Sequence, residues 1–148
     1  MVRTDDSKPP GKVRVRLDHI ALAISDLDES LSQLSRVFPD SPSEAEEVEN
    51  EGVRLSFIDV GGPRLEVLES TRDDSAISRY LEKRPPGVHH LSFQVEGVSI
   101  DDWFQQLRER GVEVLGDGPS PGAEGSRVFF VHPRSTSGVL IEFSQKEE

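Results

Sequence analysis

Two segments of this chain copy one another, and that duplication limits the fold more than any other feature. Leu17-Asp18-His19-Ile20-Ala21-Leu22-Ala23-Ile24 and Gly87-Val88-His89-His90-Leu91-Ser92-Phe93-Gln94-Val95 both read as strands. The second follows the breaker Pro85-Pro86-Gly87. Strict alternation places His19, Ala21 and Ala23 on one face of the first strand, and His90, Ser92 and Gln94 on one face of the second. By the same alternation His89 falls on the apolar side with Leu91, Phe93 and Val95, as a core or interface histidine. A polar side chain buried in mid-strand needs a partner or a metal. Two strands with one inward histidine each therefore predict a repeated unit whose halves share a site.

The pattern around each strand supports the repeat. After the first, Ser25-Asp26-Leu27-Asp28 predicts a Ser-capped helix over 26–37, with Leu27, Leu31, Leu34 and Phe38 on one face. An acidic loop over 40–51, with a weak edge strand at 45–49, precedes strands at 53–60 and 64–68 joined by Gly61-Gly62. A connector follows in which Asp74-Ser75 caps a short helix carrying Ile77, Tyr80 and Leu81. After the second copy, Ser99-Ile100-Asp101-Asp102 starts a helix that Gly111 ends. Strands are expected at 112–115, 127–132 and 138–144, with a Gly/Pro/Ser loop over 116–126. The predicted class is α+β: two tandem βαβββ modules forming one cupped mixed sheet. The expected boundaries are a flexible tail at 1–14, modules at 15–70 and 87–145, and a connector at 71–86.

Each module ends on a strand that carries a carboxylate on its less apolar face, Glu66 in the first and Glu142 in the second. With His19 and His90 they form a candidate His₂Glu₂ metal site. A single such residue in mid-strand is usually just hydrogen-bonded or at a sheet rim; four at equivalent repeat positions are harder to explain that way. The donor set suits divalent Co, Mn, Ni or Zn, or Fe(II). Thiolate ligation is excluded because the chain has no cysteine. His132, in the turn Val131-His132-Pro133, reads as a loop residue.

Charge narrows the partners. A net charge of −11 argues against nucleic acid and anionic membranes, both of which call for a basic footprint. No apolar run approaches the roughly 20 residues that span a bilayer. Residues 1–11 are polar, without the apolar stretch of a secretory signal, so a cytoplasmic location is expected.

Leu17-Asp18-His19-Ile20-Ala21, Gly52-Val53-Arg54, Gly87-Val88-His89-His90 and Gly125-Ser126-Arg127 form a recognisable series. The run from His132-Pro133-Arg134-Ser135 to Gly138-Val139-Leu140-Ile141-Glu142 completes it. Together they resemble the methylmalonyl-CoA epimerase family of the vicinal oxygen chelate (glyoxalase-like) superfamily, over about 15–143. The resemblance implies a divalent metal held by His19, Glu66, His90 and Glu142, the set already selected by strand faces. It also implies an acyl-CoA substrate, a homodimer, and Glu142 as one catalytic base. Ser126 and Arg127 match loop residues that meet the substrate, although Arg127 reads equally as a surface charge. Some relatives carry a second base where this chain has Leu55, leaving Glu51, Glu66 or a bound water as alternatives. The basic residues available for CoA phosphates are Arg72, Arg79, Lys83, Arg84 and Arg134. Two other readings share the fold: a glyoxalase I-type lyase acting on a hemithioacetal, and a non-catalytic small-molecule-binding protein. The second typically lacks one or more metal ligands.

Overall fold

The computed structural model describes residues 12–147. The first module runs β1 (Arg14–Ala23), α1 (Leu27–Ser35), β2 (Glu46–Val48), β3 (Val53–Ile58) and β4 (Arg64–Ser70). A connecting helix, α2 (Ala76–Lys83), leads to β5 (Gly87–Glu96), α3 (Ile100–Glu109), β6 (Ser120–Pro121), β7 (Ser126–Val131) and β8 (Ile141–Lys146). All eight strands form one mixed sheet in the order β2-β3-β4-β1-β5-β8-β7-β6. Of the expected tail, residues 1–11 lie outside the described residues, and Arg14 already belongs to β1.

The order is symmetric about its centre. β1 and β5 pair antiparallel, and each carries the last strand of its own module, β4 or β8, in parallel on its other side. Glu66 lies opposite Ala21, two residues beyond His19; Glu142 lies opposite Ser92, two residues beyond His90. The duplicated sequence thus yields a duplicated register.

The two faces of the sheet are filled differently. On the convex face α1 packs Leu27 against Ile58 and Val67, and α3 packs Ile100, Phe104 and Leu107 against Phe129 and Val131. The concave face carries the four candidate ligands and an apolar lining of Ala21, Val53, Leu55, Phe57 and Leu68, against which α2 sets Ile77. Each convex helix is also tied to the strand beside it. Leu27 N–H donates to Glu69 Oε1 at 2.8 Å, and Ile100 N–H donates to Gln145 Oε1 at 3.0 Å. Glu69 and Gln145 each stand three residues beyond their module's inward carboxylate, an odd offset that turns them to the opposite, helix-covered face of the sheet.

Several local expectations are corrected. The cap of α1 is Asp26 rather than Ser25, its carboxylate accepting from Glu29 N–H, and regular helix ends at Ser35. The expected strand at 112–115 is reduced to a bridge between Val114 and Val131. The edge strand β6 instead forms inside the Gly/Pro/Ser loop, and β8 begins only at Ile141. Ser75 and Ser99 cap α2 and α3 as expected.

Gln145 is the sharper test of the anchoring. Its amide accepts from Ile100 and donates to Val95 O at 3.0 Å and Val98 O at 2.9 Å. Gln145→Ala strands the helix start and two carbonyls, and is expected to cost about 1–3 kcal/mol. In urea unfolding the midpoint falls while the slope is unchanged.

Candidate metal centre

His19, Glu66, His90 and Glu142 meet on the concave face, each no more than 6% exposed. His19 Nε2 lies 3.3 Å from Glu66 Oε1 and 3.4 Å from Glu142 Oε1, and His90 Nε2 lies 3.8 Å from both. Donor atoms of His19, Glu66 and His90 all fall within 4.8 Å of one another. Ligands bonded to one ion at about 2.1 Å stand about 3.0–3.4 Å apart, so small side-chain adjustments would let these atoms close on a metal. Neither imidazole Nε2 has a hydrogen-bond partner, although both are buried. Two orphaned imidazole nitrogens facing two carboxylates is the arrangement a divalent cation satisfies.

Both histidines are oriented through Nδ1 by the residue just before them, in each case at a break in the pleat. Between β1 and β5 the register shifts at Asp18, and again at His89. Such bulges turn a side chain out of strict alternation. Asp18 Oδ2 therefore accepts from His19 Nδ1 at 2.7 Å, and Arg64, 3.6 Å from the same oxygen, steadies it. His89 Nδ1 lies 2.8 Å from His90 Nδ1. With Nε2 as ligand, His90 Nδ1 carries the proton and donates to His89. This corrects the expected packing role of His89, whose ring also meets Tyr80 edge-on at 5.2 Å. An orienting partner on the second ring nitrogen is the usual support for a metal-binding histidine.

The electrostatics of the two halves differ. Burial opposes charge on His19, but the hydrogen bond from Nδ1 to Asp18 and the carboxylates of Glu142 and Glu66 close to Nε2 prevail and push its pKa up to about 12. Burial holds His90 at about 3 and His89 at about 4, so both are neutral. Burial raises Glu66; it would also raise Glu142, but the adjacent His19, 3.4 Å away, and the nearby His90 bring that carboxyl below its ordinary range.

A further acid faces this cluster. Glu51 sits on a single 3₁₀ turn, Glu49–Glu51, and lines a cavity of about 230 Å³ with Val53, His89, His90 and Phe130. Burial, then the charges of Glu142 and Glu66, raise its pKa to about 8. Leu55 stays in the apolar lining, 1% exposed. Asp18 and His89 were beyond strand-face reasoning, since their roles depend on bulges that the residues themselves do not announce. For Glu51 the available signal was its place before Gly52, which turns the chain at φ 67°.

The remaining expected site residues separate. Ser126 lies inside the cup, in a pocket shared with His19 and Glu142, its hydroxyl donating to Ala123 O at 2.7 Å. Arg127 does not reach the cluster. The pleat of β7 sends it to the α3 side, where it makes a two-pronged contact with Asp101 at 2.6 and 2.9 Å. The expected substrate contact by Arg127 is therefore withdrawn in favour of an ion pair. Arg72 is engaged with backbone carbonyls, and Arg134 pairs with Glu113 at 3.2 Å. Arg79, Lys83 and Arg84 border a groove that adjoins the cavity at His89 and His90.

Residues 18–130 match the sequence profile of the Glyoxalase/Bleomycin resistance protein/Dioxygenase superfamily. The ethylmalonyl-CoA/methylmalonyl-CoA epimerase of Cereibacter sphaeroides is 33% identical over 132 residues, covering 88% of this chain and 97% of that one. The chain belongs to the methylmalonyl-CoA epimerase family. A variant of the Streptomyces coelicolor methylmalonyl-CoA epimerase in complex with 2-nitronate-propionyl-CoA is 36% identical, with a TM-score of 0.81 over 88% of this chain and 94% of that one. A methylmalonyl-CoA epimerase solved with methylmalonyl-CoA and NH4+ is also 36% identical, with a TM-score of 0.81 over 89% and 94%. Family membership accords with the cupped sheet and the duplicated module. Among the described residues no helix is long and apolar enough to cross a membrane.

A protonated His19 must give up its proton to bind a metal. Its pKa of about 12 keeps it charged at neutral pH, so binding releases at least one proton and is favoured as pH rises. Apparent affinity is expected to climb about tenfold per pH unit between roughly pH 6 and 8. Titration calorimetry in buffers of different ionisation enthalpy counts the proton. Asp18→Asn is expected to weaken metal binding by about 10–100-fold.

Proposed function

We propose that this protein is a metal-dependent epimerase that interconverts the (R) and (S) forms of methylmalonyl-CoA. The observation that carries the reading is the buried His19–Glu66–His90–Glu142 cluster, whose His90 lines a cavity shared with a further carboxylate, Glu51. The methylmalonyl-CoA epimerases it resembles, one of them solved with that substrate, supply the chemical class. The relatives favour this over the glyoxalase-type and non-catalytic readings.

The reaction removes the proton between a thioester carbonyl and a carboxylate and returns one to the opposite face. A divalent metal held by His19, Glu66, His90 and Glu142, whether Co, Mn, Ni or Zn, would supply Lewis-acid stabilisation to the developing oxyanion. Proton transfer falls to this chain's carboxylates. Glu142, beside His19 and His90, takes the role the family resemblance implied for it, and Glu51 takes the position of second base left open by Leu55. A pKa of about 8 suits Glu51 to exchange protons near neutrality, because a base works best when its pKa lies near the operating pH. Ser126, whose hydroxyl donates to Ala123 O, would turn that proton to the acyl or carboxylate group on binding. Phe130, 5.2 Å from the His90 ring, and Val53 line the cavity and help keep bulk water from the carbanion.

The rest of the substrate follows the groove. Arg79, Lys83 and Arg84 on and after α2 face His132 and Val139 across it, and their charge matches CoA phosphates. A homodimer and a cytoplasmic location belong to the same proposal.

Methylmalonyl-CoA in D2O should exchange its α-proton rapidly, while a glutathione hemithioacetal turns over poorly; the reverse preference would overturn the reading. Prolonged chelation should abolish exchange, and a single divalent ion should restore it. Glu51→Gln and Glu142→Gln each lower epimerisation by about 100-fold or more. Lys83→Gln combined with Arg84→Gln raises KM several-fold in a salt-dependent way with kcat nearly unchanged, the signature of lost uniform binding.

A further inference from the structure

Arg72 is unused by the chemistry above, yet its half-exposed guanidinium makes three hydrogen bonds to other residues. It lies in the loop between β4 and α2. Its Nη1 donates to Glu49 O at 2.7 Å, its Nη2 donates to Asn50 O at 3.2 Å, and its Nε donates to Asp74 at 2.8 Å. One residue earlier, Thr71 N–H donates to Gly52 O at 2.8 Å. The carbonyls of residues 49, 50 and 52 are thus all gripped by two consecutive residues of a different loop. The residue between them is Glu51.

A Cβ on Gly52 would stand 2.8 Å from Arg72 Nε, 2.9 Å from its Cζ and 3.0 Å from its Cγ. Gly52 also holds a φ of 67°, a conformation other residues adopt at a cost. The Arg72 side chain passes close over the backbone of Gly52, where a Cβ would crowd it. Its own loop is braced in turn, since Arg72 O accepts from the hydroxyls of Ser70 at 2.6 Å and Ser78 at 3.0 Å. A single turn of 3₁₀ helix has little stability of its own, and here it is fixed from outside.

We infer that Arg72 is a positioning residue for the second base: by clamping the carbonyls around Glu51 it sets where that carboxylate meets the substrate. The inference rests on the proposed role of Glu51. Misplacing a reacting group by about 1 Å costs on the order of a hundredfold in rate. The clamp touches neither the metal ligands nor Glu142.

The test uses the metal-loaded protein and follows α-proton exchange from each epimer of methylmalonyl-CoA separately in D2O. Arg72→Ala should lower kcat for epimerisation about 10–100-fold with little change in KM. It should suppress exchange of the one epimer whose proton Glu51 removes, leaving exchange of the other, and the metal content, near wild type. Arg72→Lys, which keeps the charge but cannot span two carbonyls, should show the same asymmetry to a smaller degree. Gly52→Ala should reproduce it with the arginine intact. Equal loss of exchange from both epimers, or loss of metal, would mean a merely structural role and would overturn the inference. Wild-type kinetics in Arg72→Ala beside a crippled Glu51→Gln would also overturn it, while sparing Glu51. Full activity in Glu51→Gln would instead remove the proposed second base itself.

Discussion

The structure turns on four buried titratable side chains facing one another across the central strand pair. Two imidazoles without partners on Nε2 and two carboxylates stand 3.3–3.8 Å apart inside a cup of otherwise apolar surface. Leaving such groups uncompensated in a low-dielectric interior is costly, and a single divalent cation answers both charge and coordination. Much of the surrounding fold acts to hold them. α1 and α3 cover the convex face, so the sheet has somewhere other than its concave side to bury apolar area.

The duplication explains how one compact unit builds so exact a cluster. Each module supplies the same pair, a histidine on its first strand and a carboxylate opposite the residue two positions later. Placing β1 against β5 brings the two pairs together without any long loop. The symmetry breaks only in the supporting shell, where the bulged position before the histidine is Asp18 in one half and His89 in the other. A carboxylate there makes His19 basic; a neutral imidazole, together with complete burial, leaves His90 neutral. One candidate ligand would therefore compete with a proton for a metal and the other would not.

Outside the cluster, the loops carry what distinguishes the two sides of the reaction centre. Glu142 is on a strand in the sheet, and its position follows from the ladder. Glu51 is on an isolated turn, and depends on Arg72, Thr71 and the bareness of Gly52. The groove along α2 starts from the same β4–α2 connection, so that groove and the Glu51 turn share one structural support.

Much of this was legible in the residues alone. The repeat, the βαβββ order, the helix caps at Ser75 and Ser99, and the set His19, Glu66, His90 and Glu142 all follow from periodicity, because strand alternation and helical spacing are local and recur twice. The places where local reasoning failed share a cause. Asp18 and His89 act through bulges, Arg127, which the family resemblance offered as a substrate contact and the residues equally as a surface charge, turns to Asp101, and β6 formed where only a loop was expected. Each of these is decided by pairing between strands distant in the chain, where register and not residue type selects the face. The sequence determined which groups the site contains. Tertiary structure decided which residues orient the two histidines and put Glu51 at the cavity while Leu55 stayed in the apolar lining, because these depend on strand register and on contacts between loops that no periodicity encodes.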